Sequence, residues 1–513
     1  MSKNIFRLIS AIFVLMVIAL YALTMRGSLG NPTPVQIEYE MEKSGQAFET
    51  SQERSRYAMI LAMYHERRIA IDTFASMGTP DIGYINGHYF SFFPPGASLL
   101  AYPLFVLGTK WGMSQLAVFL LPTIFAIGSM WMIFMYVKKL GLPAHYGLLA
   151  ALLFAFSTNA WGYSVTLYAH VISSFFILTA LYAVSFMDNW RGALIMWLSY
   201  AIAVFIDFPN LLIFIPLALV AGFNSFAISQ PAGKYVLKLK LVHLLAPLVF
   251  IGLMLCYGYY NYTQFGSATR LSNTIPRVQD LKEEIKAKPE SGREAVGALH
   301  TRNMLEGFRS FIISHDRGIV IYTPVALLAI LGLGALQGAQ KKHEVLLLTV
   351  PVTCLVLYTM FGDPYGGWAF GSRYILAVMP ELMILAVIGL SKFSNQILVR
   401  LLFTVVFIYS TAVSALAPLT TNVIPPFVEA RHINLQSDYR INIRMLQDDE
   451  LNSFIYNHVL NKSIPATTYY AIVLALILPM GLFLIWYRTA SLPAAPVKVV
   501  PTKGSRTHRA KRS

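Results

Sequence analysis

The chain has 513 residues, of which 56% are hydrophobic and only 13% charged, and its mean hydropathy is +0.57. That balance excludes a string of soluble domains and places the chain among polytopic membrane proteins. The formal net charge of +15 follows the membrane topology set out below, so it is no nucleic-acid footprint.

Apolar runs long enough to cross about 30 Å of hydrocarbon begin near Ile5, Ser114, Pro143, Thr166, Arg191, Asn210, Leu241, Gly318, Glu344, Tyr374, Ile397 and Pro465. They predict an all-α membrane protein with about twelve transmembrane helices. The first run ends in "YALTMRG", which offers no small-x-small cleavage site, so it reads as a retained helix. The segments expected inside the cell hold Lys3, Arg7, Lys138, Lys139, Arg191, Lys234, Lys238, Lys240, Lys341, Lys342, Lys392, Arg400 and the seven cations after Trp486, against only Asp188 and Glu344. Cations mark the cytoplasmic side, which predicts both termini inside a cytoplasmic membrane. Residues 1–490 then form one membrane domain with long outer segments at 25–95, 262–316 and 419–464, and 491–513 form a basic, disordered cytoplasmic tail. Short inner connections and long outer ones place the working surface outside.

Three polar clusters stand on that outer side. The first, "SQERSRYAMILAMYHERRIAID", carries Tyr57, Ile60, Leu61 and Tyr64 at helical spacing, which predicts an amphipathic helix lying in the interface plane. Glu53 and Arg56 are three residues apart and share a helix face; an exposed ion pair accounts for that spacing as well as a site does. The second, "YINGHYFSFFPPGASLLAYPLF", turns apolar after Pro94 and Pro95 for a stretch too short to span. As a helix dipping into the outer leaflet it sets His88, Tyr89 and Ser91 at headgroup depth; a proline-terminated loop with an aromatic belt is the equal alternative. In the third, "FGDPYGGWAFGSRYILAVMPEL", Gly366, Gly367 and Gly371 permit close backbone approach. Arg373 there suits a phosphate, which a guanidinium binds in pairs of hydrogen bonds, or else snorkels to bulk headgroups. His170, Asp207 and Glu381 fall in or at the edges of spans, where ionisable groups are functional candidates.

Taken in order, "ERSRYA", "GHYFSFFPPG", "YAH", "DFPN", "YNYTQFGS", "HDRGIVIYTPVALLAILGL" and "YGGWAFGSRYILAVMPEL" resemble the GT-C superfamily of membrane glycosyltransferases. The likeness runs from about residue 5 to 390 and is strongest to bacterial enzymes related to protein O-mannosyltransferases and the lipid A aminoarabinose transferase. It implies a polyprenyl-phosphate sugar donor, a reaction on the outer face and inversion at the anomeric carbon. The acceptor, whether protein, lipid or glycan, is left open. The resemblance puts the family's acid at Glu53, with an Arg three positions on at Arg56.

Two departures bear on the chemistry. The family acid is normally Asp, and the longer Glu53 shifts its carboxylate by about 1 Å, enough to matter to catalytic geometry. Relatives carry an Asp-Lys pair where this chain has Phe92 and Phe93, so a cation expected at the phosphate is missing. Glu53 is therefore the expected general base, with Asp72 and Asp81 as alternatives. Arg56, His88, Tyr89, His170, Asp207 and Arg373 are the expected ligands of the donor phosphate and sugar. No cofactor is expected, although a divalent ion between Glu53 and Asp72 or Asp81 stays open. A lipid-glycan flippase or secondary transporter is the rival, but such proteins place polar sites at the midplane of repeated halves, and neither feature is visible here.

Overall fold

The computed structural model describes residues 3–40, 47–229, 236–278, 281, 299, 301, 304–363 and 365–487. The expected tail, 491–513, and most of the second long loop between 279 and 303 lie outside the described residues.

Among the described residues seven helices are long and apolar enough to cross a membrane: Asn4–Thr24, Ser114–Lys139, Ala169–Phe186, Leu241–Phe265, Lys341–Thr359, Ile397–Leu419 and Ala466–Trp486. Ala144–Phe156, Trp190–Ile206 and Asn210–Asn224 are shorter apolar helices. The chain is a multi-pass membrane protein. The other two apolar runs are broken differently. The run from Gly318 forms a single turn, Ile319–Tyr322, and then a 3-10 stretch, Pro324–Gly332. The run from Tyr374 becomes a helix only at Met379–Lys392, about 21 Å long at 1.5 Å per residue. Prolines at Pro324 and Pro380 start both segments, because proline lacks the N–H that a preceding turn would use.

Two of the short elements are inner ones. Every residue of the Ala144–Phe156 helix after Ala144 is buried. The Pro324–Gly332 stretch crosses the Met379–Lys392 helix so closely that a Cβ on Gly332 would stand 2.1 Å from the carbonyl oxygen of Leu385, and one on Gly389 would stand 2.6 Å from the carbonyl carbon of Leu331. Membrane helices pack by such close backbone approach, since lipid provides no hydrophobic drive between them.

The helix predicted in the first long loop is present at Ser51–His65, but its surroundings differ from an interfacial helix. Every residue from Glu53 to Ala62 is buried, polar ones included. The hairpin Ile82–Ile85/His88–Ser91 and the strand Arg277–Val278 form a small antiparallel sheet in the same loop region, and Ser55 Oγ donates to the carbonyl of Asp81 and the hydroxyl of Ser91. On another side lies the Gly96–Lys110 helix, whose Ser98 hydroxyl donates to the Arg56 carbonyl. A surface ion pair between Glu53 and Arg56 does not form, because neither side chain reaches water. The third long loop folds as short helices, Phe427–Ile433 and Arg440–Gln447, with Asp448, Asp449 and Glu450 exposed as expected of a cap. Cys256 and Cys354 are both free.

Substituting Gly389→Leu drives a side chain into backbone that cannot yield, which should cost about 1–3 kcal/mol. The expected reading is a lowered thermal midpoint in detergent; an unchanged midpoint would count against this crossing.

Candidate active site

A cavity of about 780 Å³ opens where the three long loops meet the helix ends. The first loop lines it with Glu49, Gln52, Arg56, Asp81, Phe92 and Phe93, the second with Asn273 and Arg277, and the third with Val423 and Glu429. His170, at the start of one helix, and Asp207, at the end of another, complete it from the bundle, with Tyr358, Arg373 and Tyr374 opposite. Lys240, ion-paired to Asp188 at 2.5 Å, and Lys341 stand at the other ends of helices that reach this cavity.

The Ser51–His65 helix begins at Thr50, whose extended backbone makes it the N-cap. Glu53, three residues on, reaches back: its Oε2 accepts from the backbone N–H groups of Glu49 (2.9 Å) and Thr50 (3.0 Å), and its Oε1 accepts from the Thr166 hydroxyl. This is the return half of a capping box, satisfying N–H groups that a helix start leaves open. Glu53 is wholly buried and does not line the cavity. Burial, and then the charge of Glu49, push its carboxyl above the ordinary value. Glu49 is itself held by a buried ion pair with Arg26, by the N–H of Asn422 at 2.8 Å and by the Asn452 amide at 2.9 Å. Arg26 in turn donates to the carbonyls of Ala417 and Thr420.

Arg56 and Arg373 are held differently. Arg56, 2% exposed, lies over the Phe93 ring with its guanidinium carbon 4.2 Å from the ring centre, and its Nη1 donates weakly to the Gln52 carbonyl at 3.4 Å. With the Gln52 amide oxygen turned inward, the same residue accepts from Nη1 and Nη2 of Arg373, each at 2.7 Å. The Nε of both arginines is buried without a partner, and neither arginine forms an ion pair among the described residues. Burial lowers the Arg56 pKa to about 10, which leaves it cationic at neutral pH. Arg277 sits over Phe92 at 5.7 Å. Phe92 and Phe93 thus each carry an arginine on their face, a favourable contact between a cation and an aromatic ring.

The loop carrying Arg373 is fastened from behind. Arg317, fully buried, donates to the carbonyls of Gly367 (2.6 Å) and Ala369 (3.3 Å), and Ser372 Oγ donates to the Arg317 carbonyl. Asp316 Oδ2 accepts from the N–H of Phe427, tying in the third loop. Gly366 has φ 71° and would meet Arg373 Nε at 3.1 Å if it bore a Cβ, so glycine is required there both for backbone and for space.

The remaining expected residues divide. His170 Nδ1 and Asp207 Oδ2 face each other at 3.4 Å on the cavity wall. Asp81 also lines it, accepting from Ser51 Oγ at 2.6 Å and Arg277 Nη2 at 3.0 Å. His88 and Tyr89 do not line the cavity; with Asp72 they form a separate group, in which Asp72 bonds His88 Nδ1 (2.8 Å), the Tyr89 N–H (2.7 Å) and Arg68 (2.9 Å). The second strand of the hairpin alternates its faces, and its first residue, His88, is left half exposed. Glu381 is buried in its helix, away from the cavity, both oxygens unpartnered. Among the described residues no group of three or more His, Cys, Asp or Glu stands together as a metal site. Sequence reasoning missed Gln52, Arg26, Glu49 and the Asp316–Arg317 pair; a buried Arg just after the first span and a charged pair just before the eighth were the available signals.

No protein-family model matches the sequence, and no curated protein does either. The fold does have solved relatives. Over 93% of this chain and 76% of the other it superposes on ArnT from Cupriavidus metallidurans bound to undecaprenyl phosphate, with a TM-score of 0.50 at 11% identity. The chain has an ArnT-like fold. The apo form of that ArnT aligns over the same shares with a TM-score of 0.46. The likeness is one of fold, at an identity too low to carry residue roles across.

The raised pKa of Glu53 has a measurable consequence. Unfolded, the carboxyl ionises near 4.5; folded, it holds its proton to higher pH. The fold then binds the extra proton, so stability is fully present below the unfolded value and is lost as pH rises through the folded one. Glu53→Gln keeps a capping residue but removes that titration. Its thermal midpoint should fall less than the wild type's between about pH 5 and pH 8; equal slopes would remove the buried acid from the account.

Proposed function

We propose that this protein is an inverting glycosyltransferase that moves a sugar from a polyprenyl-phosphate donor to an acceptor hydroxyl. The observation that carries this reading is the pair Arg56 and Arg373: two buried guanidinium groups facing one cavity, neither in an ion pair with a carboxylate among the described residues. Burying unpaired cations is costly, and a site that keeps them is built for an anion that arrives from outside. A lipid phosphate fits, since the cavity lies at the ends of membrane helices, where a lipid's headgroup sits while its tail stays in hydrocarbon. The ArnT relative of the same fold was solved with such a lipid, undecaprenyl phosphate.

In the proposed reaction the acceptor oxygen attacks the anomeric carbon from the side opposite the phosphate. The bond from that carbon to the phosphate oxygen breaks, and polyprenyl phosphate leaves with charge growing on its oxygens. Arg56 and Arg373 meet that charge in place, and losing one such fixed donor costs about 3–4 kcal/mol in comparable sites. Of the three acids weighed as base, Asp81 opens on the cavity, and we assign it the acceptor's proton. Glu53, its oxygens engaged by two N–H groups and a hydroxyl, holds the helix start that presents Gln52 and Arg56. His170 and Asp207 form the wall that orients the sugar. The acceptor class, protein, lipid or glycan, is set by the loops around the mouth.

The cations at the far helix ends support an orientation with that end in the cytoplasm, both termini inside and the cavity on the outer face of the cytoplasmic membrane.

Purified protein given labelled polyprenyl-phosphate sugar and a cell-envelope acceptor extract should release polyprenyl phosphate. Asp81→Asn should slow turnover by about 10²- to 10⁴-fold with donor affinity kept. Movement of the label between vesicles with its bond intact would replace this reading with transport, and full turnover in Asp81→Asn would move the base elsewhere.

A further inference from the structure

We infer that Gln52 is an internal stand-in for the donor's phosphate: its amide oxygen, turned inward, bridges the two terminal nitrogens of Arg373, and an arriving lipid phosphate displaces it. The inference rests on the proposed reading of Arg373 as a phosphate ligand and adds what holds that ligand ready.

With the Gln52 amide turned, its one oxygen accepts from both Nη1 and Nη2 at 2.7 Å, so a single neutral acceptor bridges two donors that a phosphate or carboxylate takes with two oxygens. Arg373 is 8% exposed, with Gly366 and Gly367 packed against its other side. Without an acceptor its donors would be stranded, at the full desolvation cost of a buried charged group. Gln52 supplies that acceptor, and it does so from the second residue of the Ser51–His65 helix, whose start is fixed by Glu53. The amide is the only part of Gln52 that must move, because the Arg56 contact is to its backbone carbonyl.

The choice of a neutral amide is what makes the exchange work. Hydrogen bonds from a guanidinium to an anion are roughly twice as strong as those to an uncharged acceptor, so a phosphate wins the fork from an amide. A carboxylate at the same place would hold it. The Nε atoms of Arg56 and Arg373 are buried without a partner, further donors beyond the two that Gln52 bridges and available to a group with several free oxygens. Gln52 therefore preserves the shape of the anion site without competing for it.

The test is binding of undecaprenyl phosphate to the full chain in lipid nanodiscs, with undecaprenol as the control lacking phosphate. Gln52→Ala should bind the phosphate lipid at least as tightly as the wild type, and Gln52→Glu about tenfold or more weakly, since the new carboxylate stays in the fork. Loss of affinity in Gln52→Ala would make Gln52 a direct ligand, and wild-type affinity in Gln52→Glu would show that it does not occupy the fork; either overturns the proposal. Arg373→Ala separates the two levels: if it binds undecaprenyl phosphate as the wild type does, or if undecaprenol binds equally well throughout, the phosphate reading itself falls.

Discussion

The structure turns on how one loop helix can be buried with its charges. Ser51–His65 brings Glu53, Arg54 and Arg56 out of water together, and buried charge is tolerated only when each group is paired or fully hydrogen-bonded. Glu53 is satisfied by two N–H groups and the Thr166 hydroxyl, and Arg54 by the carbonyl of Met77 at 3.0 Å. Glu49 is satisfied by Arg26 and two asparagine donors. These bonds reach from the first membrane helix to the loops beyond Pro418, so the polar knot is also what ties the first loop to the bundle. If it opened, the floor of the cavity would have no fixed position.

Against that background the asymmetry of the cavity stands out. Its carboxylates are each engaged: Glu49 by Arg26, Asp81 by Arg277, Asp207 by His170, Asp363 by three backbone N–H groups, Glu429 by the Trp368 indole. Arg56 and Arg373 lie instead against the Phe93 and Tyr374 rings and beside Gln52, with no carboxylate at ion-pair distance among the described residues. The lining is mixed in charge, so what sets these two guanidinium groups apart is how they are held and not the overall sign of the wall.

The Phe92–Phe93 pair shows how aromatic rings can hold cations in place. Arg277 and Arg56 each lie over one of the two rings. A guanidinium suits that contact better than an ammonium would, being planar, permanently charged and weakly hydrated.

The sequence by itself determined the membrane class, the helical fold and the order of motifs, because hydropathy and the siting of Lys and Arg act over whole segments and need no partner to be read. It also picked out Arg56, Arg373, His170, Asp207 and Asp81, which the fold brings to one cavity. Tertiary structure alone decided which charges face inward. Glu53 and Arg56 share a helix and a burial class, yet one closes a helix cap and the other borders the cavity. His88 and Tyr89 sit beside Phe92 in sequence but turn with the hairpin to Asp72. Helix length followed the same rule, since Pro324, Pro380 and the Gly332–Gly389 crossing shortened two apolar runs that composition alone reads as full spans. Direction of a side chain depends on contacts between residues far apart in the chain, and no local pattern records those.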